Sequence, residues 1–245
     1  MSIWGKIVGG AAGFAMGGPL GALLGLAAGH VLVDEPQRGA PPQADPRIPR
    51  ERQAAFIMGV IALAAKMAKA DGTVSLAEIA AFREIIKAPP GEMRNVEWVF
   101  DQARQSSAGF EAYARQLGRL FKDDPKVLED LLDGLFHVAR ADGVFHAVED
   151  KYLREVARLF GFDENAYERI KARNLPEHAS PYTVLGLTAE ATDAEVKAAY
   201  RRLVKEHHPD AMIARGVPEE FIQVATAQVA AINGAYEKIE KMRGM

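Results

Sequence analysis

The 245-residue chain carries 30 Lys and Arg against 33 Asp and Glu, a net charge of -3. With no basic excess to release counterions from phosphates, nucleic acid is excluded as its general partner. It has no cysteine, which excludes disulfides and thiolate metal sites, fits a reducing compartment and leaves only oxygen or imidazole to hold a metal.

Residues 7–33 are apolar or glycine throughout except for His30, long enough to cross a bilayer core as one transmembrane helix. Gly5, Gly9, Gly13, Gly17, Gly21, Gly25 and Gly29 recur every four residues. On a helix that period lays one smooth groove, along which two backbones can approach closely in lipid, so a homodimer through this segment is expected. A cleaved signal peptide is a poorer reading, because the stretch is long and lacks a clean cleavage site. Trp4 suits the membrane interface. Only Lys6 and the amino terminus precede the span, whereas Arg38, Arg47, Arg50 and Arg52 follow it. The positive-inside rule therefore puts the short N-terminus in the periplasm and everything after residue 33 in the cytoplasm.

Residues 34–49 contain Pro36, Pro41, Pro42, Pro46 and Pro49 and read as a semi-extended tether. From residue 50 to 173 the apolar spacing is helical throughout and no strand pattern emerges. Helices are expected over 50–70, 75–87, 92–105, 110–121, 125–140, 147–159 and 164–172, and Trp98 is expected in the core. Within this region residues 69–78 (KADGTVSLAE) echo 140–149 (RADGVFHAVE), each between two helical stretches. Capping explains most of the repeat: glycine permits a left-handed helix end, and Ser75 with Glu78 forms a capping box. A functional reading brings Asp71, Glu78, Asp142 and Glu149 together as oxygen ligands for a divalent cation such as calcium. The alternating acids of an EF-hand loop are absent. His137 and His146, which flank the second turn, are given no role.

At the carboxyl end, Thr192 and Glu195 form a capping box for a helix over 192–207, whose Val196, Tyr200 and Leu203 face inward. Lys197, Arg201 and Lys205 recur at intervals of four, with Arg202 beside them, and make a positive stripe. Pro209 stops the helix and pushes His208 out of the α region, so His208-Pro209-Asp210 is a stiff turn. A second helix opens at Pro218-Glu219-Glu220, with Phe221, Ala225, Ile232, Tyr236 and Ile239 on its apolar face.

Pro181-Tyr182-Thr183-Val184-Leu185-Gly186-Leu187, the basic helix, the His208-Pro209-Asp210 turn and then Ala231-Ile232-Asn233-Gly234-Ala235-Tyr236, in that order and spacing, resemble a J domain. The resemblance implies a four-helix fold that docks on the Hsp70 chaperone, DnaK in bacteria, and triggers its ATP hydrolysis. By transfer, His208, Pro209 and Asp210 are the trigger, and Lys197, Arg201, Arg202 and Lys205 the docking charges. Many J domains carry lysine after the tripeptide where this chain has Ala211. The chain leaves no room after the long helix for a glycine-phenylalanine segment or a zinc-binding domain, so client capture of its own is not expected. The acidic repeat resembles the TerB domain, which implies an all-helical bundle with acidic surface residues for metal or partner binding.

The layout of glycine-rich span, TerB-like region and terminal J-like domain resembles the DjlA family of inner-membrane co-chaperones, which recruit DnaK and act in envelope stress. The expected architecture is all-α: an anchor over 1–33, a linker over 34–49, a TerB-like bundle over 50–173 and a J domain over 180–245. No enzyme is expected, since His207, His208 and Asp210 lack a third metal ligand at helical spacing and a glutamate to activate water. No cofactor is expected beyond the candidate cation. The alternative function is a membrane stress sensor or scaffold whose TerB-like domain binds the important ligand, with the J domain as accessory.

Overall fold

Residues 55–68 are apolar or small on every side except at Lys66, and a helix with no polar face has to be wrapped by others. In the computed structural model this stretch is the middle of α1 (Arg50–Ala70), which is buried from Ala55 to Ala68, with only its glycine and Lys66 departing from an apolar lining. The structure describes residues 50–70, 76–86 and 109–245, with isolated positions at 21, 97, 100, 101 and 103. The apolar span and the proline-rich tether lie outside these, as do Trp4, Trp98, Asp71, Ser75 and most of the helix expected over 92–105. Among the described residues there is no strand, and no helix is long and apolar enough to cross a membrane.

Among the described residues this unit also holds α2 (Leu76–Ile85), α3 (Phe110–Leu120), α4 (Pro125–Ala139), α5 (Ala147–Phe160) and α6 (Glu164–Asn174); α3, α4 and α5 pack on α1, and α2 and α6 pack on α4. Phe56, Ile61, Leu63, Leu117, Leu131, Leu135, Phe136 and Leu153 are 0–1 % exposed, and full burial of each such side chain contributes about 1.5–3 kcal/mol. The Tyr152 hydroxyl on α5 donates to the Leu63 carbonyl on α1 at 2.9 Å, so that buried polar atom is satisfied. Gly161 ends α5 with a φ of 94°, a conformation that glycine adopts without a Cβ penalty. Asp163 then caps α6 by accepting the Ala166 N–H at 2.7 Å.

A 3-10 turn (Pro176–His178) leads into the second unit: α7 (Pro181–Val184), α8 (Asp193–His207), α9 (Pro209–Ala214), a 3-10 turn (Glu219–Phe221) and α10 (Ile222–Arg243). Tyr182, Val184, Leu185, Val196, Leu203, Ile232 and Ile239 form its core. Arg243 ties the end of α10 to the entry of α8. Its guanidinium donates to the Ala191 and Ala189 carbonyls at 2.6 and 2.8 Å and to the Tyr182 hydroxyl at 2.8 Å, and pairs with Asp193 at 2.9 Å.

The second unit also shares the core of the first. Met212, Val217, Phe221, Val224 and Ala225 belong to the core built on α1, and the Phe221 ring meets Phe56 edge-on with centroids 4.9 Å apart. The apolar face expected on the last helix is thus divided: Phe221 and Ala225 serve the larger core, Ile232 and Ile239 the smaller. The proline and acids expected to open it instead form the 3-10 turn, and the α-helix begins at Ile222.

Close approach at this seam depends on Gly134 of α4, where an added Cβ would lie 2.6 Å from the Phe221 ring. Gly134→Ala is expected to destabilise the protein by about 1–3 kcal/mol through overpacking. Thermal unfolding followed by circular dichroism checks it; an unchanged midpoint would mean that the ring can swing away freely.

Candidate functional site

The charged helix and its turn are built locally. Thr192 caps α8 as expected: its N–H donates to Glu195 Oε2 at 2.7 Å, and the Glu195 N–H reaches Thr192 Oγ1 at 3.3 Å. Val196, Ala199 and Leu203 are buried, while Lys197, Arg201, Arg202 and Lys205 are exposed. The four cations do not form one patch. Arg201 and Lys205 line a groove of about 440 Å³ with Tyr200, Val204, His208, Asp210 and Ala211. Arg202 points to the other side, into the cleft against α4 and α6, and is paired with Glu206 at 3.1 Å. Lys197 continues the Arg201 face, and its carbonyl accepts Arg201 Nε at 3.2 Å.

His208 is extended (φ -61°, ψ 138°), as the following proline requires. It closes α8 and opens α9, and its Nδ1 accepts the Asp210 N–H at 3.2 Å. The tripeptide is therefore the junction of two helices. The Asp210 carboxylate, 3.6 Å from His208 Nδ1, is 88 % exposed, so it is held in register yet free to meet a partner. Tyr200, which lines the groove, stacks on Tyr236 of α10 at 4.1 Å with 13° between planes, which braces α8 against α10.

His207 and His208 face opposite ways, so they cannot act on one substrate together. His207 is 1 % exposed, and its Nε2 lies 3.0 Å from Lys126 Nζ. Burial, helped by Arg173 and Lys126, pushes its pKa down to about 2. The ring is neutral, and the ammonium donates to Nε2, which places the ring proton on Nδ1. Around it, Glu129 pairs with Lys126 at 3.0 Å and with Arg173; burial opposes its charge, but those cations hold it at about 2. Burial raises Asp130 to about 7 against the pull of Arg215, and Asp133 to about 6 against that of Arg173. Asp130, Asp133 and His207 bring ligand atoms within 4.8 Å of one another. Arg215 occupies Asp130, Lys126 occupies His207 Nε2 and Asn174 occupies Asp133 Oδ1, which leaves Asp133 Oδ2 buried without a hydrogen-bond partner; three cations stand around the acids, and we read the group as an ion cluster.

Sequence reasoning missed this cluster. The available signal was Lys126, Glu129, Asp130 and Asp133 on one face of an otherwise apolar helix, a pattern that ordinarily means a solvated face.

Of the acids expected to bind a cation, Glu78 and Glu149 are buried, at 4 % and 3 % exposure, rather than displayed on the surface. Asp142 accepts the Val144 N–H at 2.9 Å, and Glu149 the His146 N–H at 2.8 Å. Burial raises Glu149 to about 7, partly offset by the His146 bond and reinforced by the charges of Glu78 and Asp142. These three acids therefore stand in one electrostatic neighbourhood; Asp71 lies outside the described residues.

Residues 1–43 match the co-chaperone DjlA transmembrane domain, 58–172 the tellurite resistance protein TerB and 180–240 the DnaJ domain. Over 98 % of both chains the sequence is 32 % identical to the co-chaperone protein DjlA of Coxiella burnetii. The chain belongs to the DjlA co-chaperone family. The DjlA of Photobacterium profundum is 30 % identical over 99 % of both chains, and that of Shewanella oneidensis 28 % over 89 % of both. No solved structure matches. The DjlA family is one of J-domain co-chaperones and not of enzymes, its J domain implies an Hsp70 partner, and its amino-terminal domain implies a membrane anchor.

The charge on Glu149 has a pH signature. Its folded pKa is raised, so its charge costs nothing well below its ordinary value of 4.5 and costs stability fully above about 7. Glu149→Gln keeps an acceptor for the His146 N–H and removes that charge. It is expected to stabilise the protein by on the order of 1–3 kcal/mol at pH 8 and to be neutral well below pH 4.5, read from unfolding midpoints across pH.

Proposed function

We propose that this protein binds DnaK, the bacterial Hsp70, through α8 and the His208-Pro209-Asp210 junction, and stimulates its ATPase from the membrane. The observation that carries the reading is Asp210: an exposed carboxylate on a stiff helix junction, held by His208, at the rim of a groove edged by Arg201 and Lys205. Arg201, Lys205 and Lys197 steer an acidic surface of DnaK into place, which sets on-rate and orientation. Asp210 then pairs with a basic group on DnaK and favours its hydrolysis-competent conformation, without supplying a catalytic group. Arg202, turned toward the cleft and paired with Glu206, contributes less than its three neighbours.

Residues 7–33 would form a single pass, with the N-terminus in the periplasm and the remainder beside DnaK in the cytoplasm, and the glycine row would pair two copies. Such pairing doubles the local density of J domains at a clustered client. In this arrangement the protein recruits DnaK during envelope stress.

A second reading concerns the TerB-like unit, and the mutual influence of Glu78, Asp142 and Glu149 favours it. A divalent cation held there with Asp71 would relieve the repulsion that raises Glu149. Calcium would then raise the unfolding midpoint of the wild type and leave that of Glu149→Gln unchanged.

Single-turnover ATP hydrolysis by DnaK with the full chain in nanodiscs tests the main reading. Wild type is expected to stimulate, and His208→Gln to return the rate to basal. Arg201→Glu is expected to raise the half-saturating concentration about tenfold, and 0.5 M salt to weaken docking similarly. A folded wild type that leaves DnaK at its basal rate defeats the proposal.

A further inference from the structure

The trigger junction is fastened from behind by the TerB-like unit. Arg215 lies one residue past α9, and its guanidinium grips the fully buried Asp130 of α4: Nε and Nη2 reach Oδ2 at 3.1 and 2.8 Å, and Nη2 reaches Oδ1 at 3.1 Å. The same guanidinium donates from Nη1 to the Glu206 carbonyl at 3.0 Å. That carbonyl is one of the last of α8, which have no intrahelical donor once Pro209 breaks the helix. The Arg215 backbone N–H meanwhile closes α9, at 3.2 Å from the Ala211 carbonyl. One residue thus joins the end of the helix before the tripeptide, the end of the helix after it and the neighbouring domain.

A second strut flanks the first. His207, directly before the trigger histidine, is anchored through Nε2 to Lys126 of α4. Beyond it, Gln228 of α10 donates to Asn174 Oδ1 at 2.8 Å, and Asn174 donates to Asp133 Oδ1 at 2.6 Å. With the three acids ionised the charges close: Glu129, Asp130 and Asp133 stand against Lys126, Arg173 and Arg215, with His207 neutral.

We propose that Asp130 and Arg215 are positioning residues for the Hsp70 trigger, by which the TerB-like domain fixes the angle between α8 and α9 and hence the direction in which Asp210 points. Neither side chain takes part in docking, since Asp130 is fully buried and Arg215 turns toward it. The proposal rests on the reading of His208-Pro209-Asp210 as an Hsp70 trigger. It also assigns the TerB-like domain a purpose within this chain that needs no external ligand.

The test uses the full chain in nanodiscs and two measurements. Asp130→Asn removes the charge that holds Arg215. Asp130→Leu with Arg215→Met replaces the whole buried pair by apolar groups, an exchange that need not cost stability, and yet deletes the clamp on the Glu206 carbonyl. In both, the maximal DnaK turnover stimulated by the variant is expected to fall about tenfold, with the half-saturating concentration unchanged because Lys197, Arg201 and Lys205 are intact. Hydrogen exchange, which needs no DnaK, is expected to quicken about tenfold over residues 208–217 while residues 55–68 stay protected. Wild-type maximal turnover in the folded double variant overturns the proposal, whatever the exchange does. Unchanged exchange over 208–217 overturns it too. A wild type that does not stimulate DnaK overturns the trigger reading and with it the functional half of the proposal, while the exchange result still judges the clamp.

Discussion

Three carboxylates on one face of α4, the buried Asp130 and Asp133 and the half-buried Glu129, can leave water only because the buried Arg173 and the half-buried Lys126 and Arg215 come with them. A lone ion in such a place costs several kcal/mol, and removing one partner of a desolvated pair leaves that cost unmet. Lys126 comes from the same helix and Arg173 from α6, but Arg215 has to come from the carboxyl-terminal unit. Charge balance therefore requires the two units to pack in one relative arrangement. Apolar contacts alone would tolerate sliding; a forked guanidinium on a buried carboxylate does not.

The same constraint organises the apolar seam. With Arg215 held on α4, the segment that follows is drawn across Gly134, so Phe221, Val224 and Ala225 enter the core around α1. α10 then leaves that core and supplies Ile232 and Ile239 to the smaller one. A single helix carrying two cores couples the J-like unit mechanically to its neighbour, and the tripeptide lies at the end of that coupling. Asp210 stays in water while His207 and Met212 beside it are buried, a division that suits a rigid pointer. Membership of the DjlA co-chaperone family gives that pointer its context, since an anchored J domain meets its partner from a restricted set of directions.

Much of this was legible locally. The Thr192–Glu195 capping box, the stop at Pro209, the extended His208 and the inward face of α8 depend on interactions between near neighbours in sequence, where residue type and spacing carry the information. The ends of α1, α3, α4 and α5 fell within about a residue of expectation for the same reason. The acidic repeat was read as two helix entries, and α2 and α5 begin there, but the TerB resemblance implied acidic residues at the surface. Glu78 and Glu149 are buried because each lies on the inward side of a helix whose other side is exposed, and which side turns inward at the first turn is set by packing that no window of ten residues reveals. Arg202 was grouped with the docking charges because a helical wheel places it beside Arg201. The cleft against α6 draws it to the opposite side.

By itself the sequence determined the all-α class, the stop of α8 before Pro209 and the family, because each is written in short-range periodicity, capping and motif order; the helix that Pro209 opens, where a polar loop was expected, was not foreseen. Only the tertiary structure decided that His207 turns inward while His208 turns outward, that Arg215 serves Asp130 across 85 positions, and that α10 belongs to two cores. Those outcomes depend on which charged face of α4 meets which segment of a distant unit. Adjacent histidines, surface arginines and amphipathic helices look alike in sequence, and the desolvation cost that separates them exists only after the elements pack.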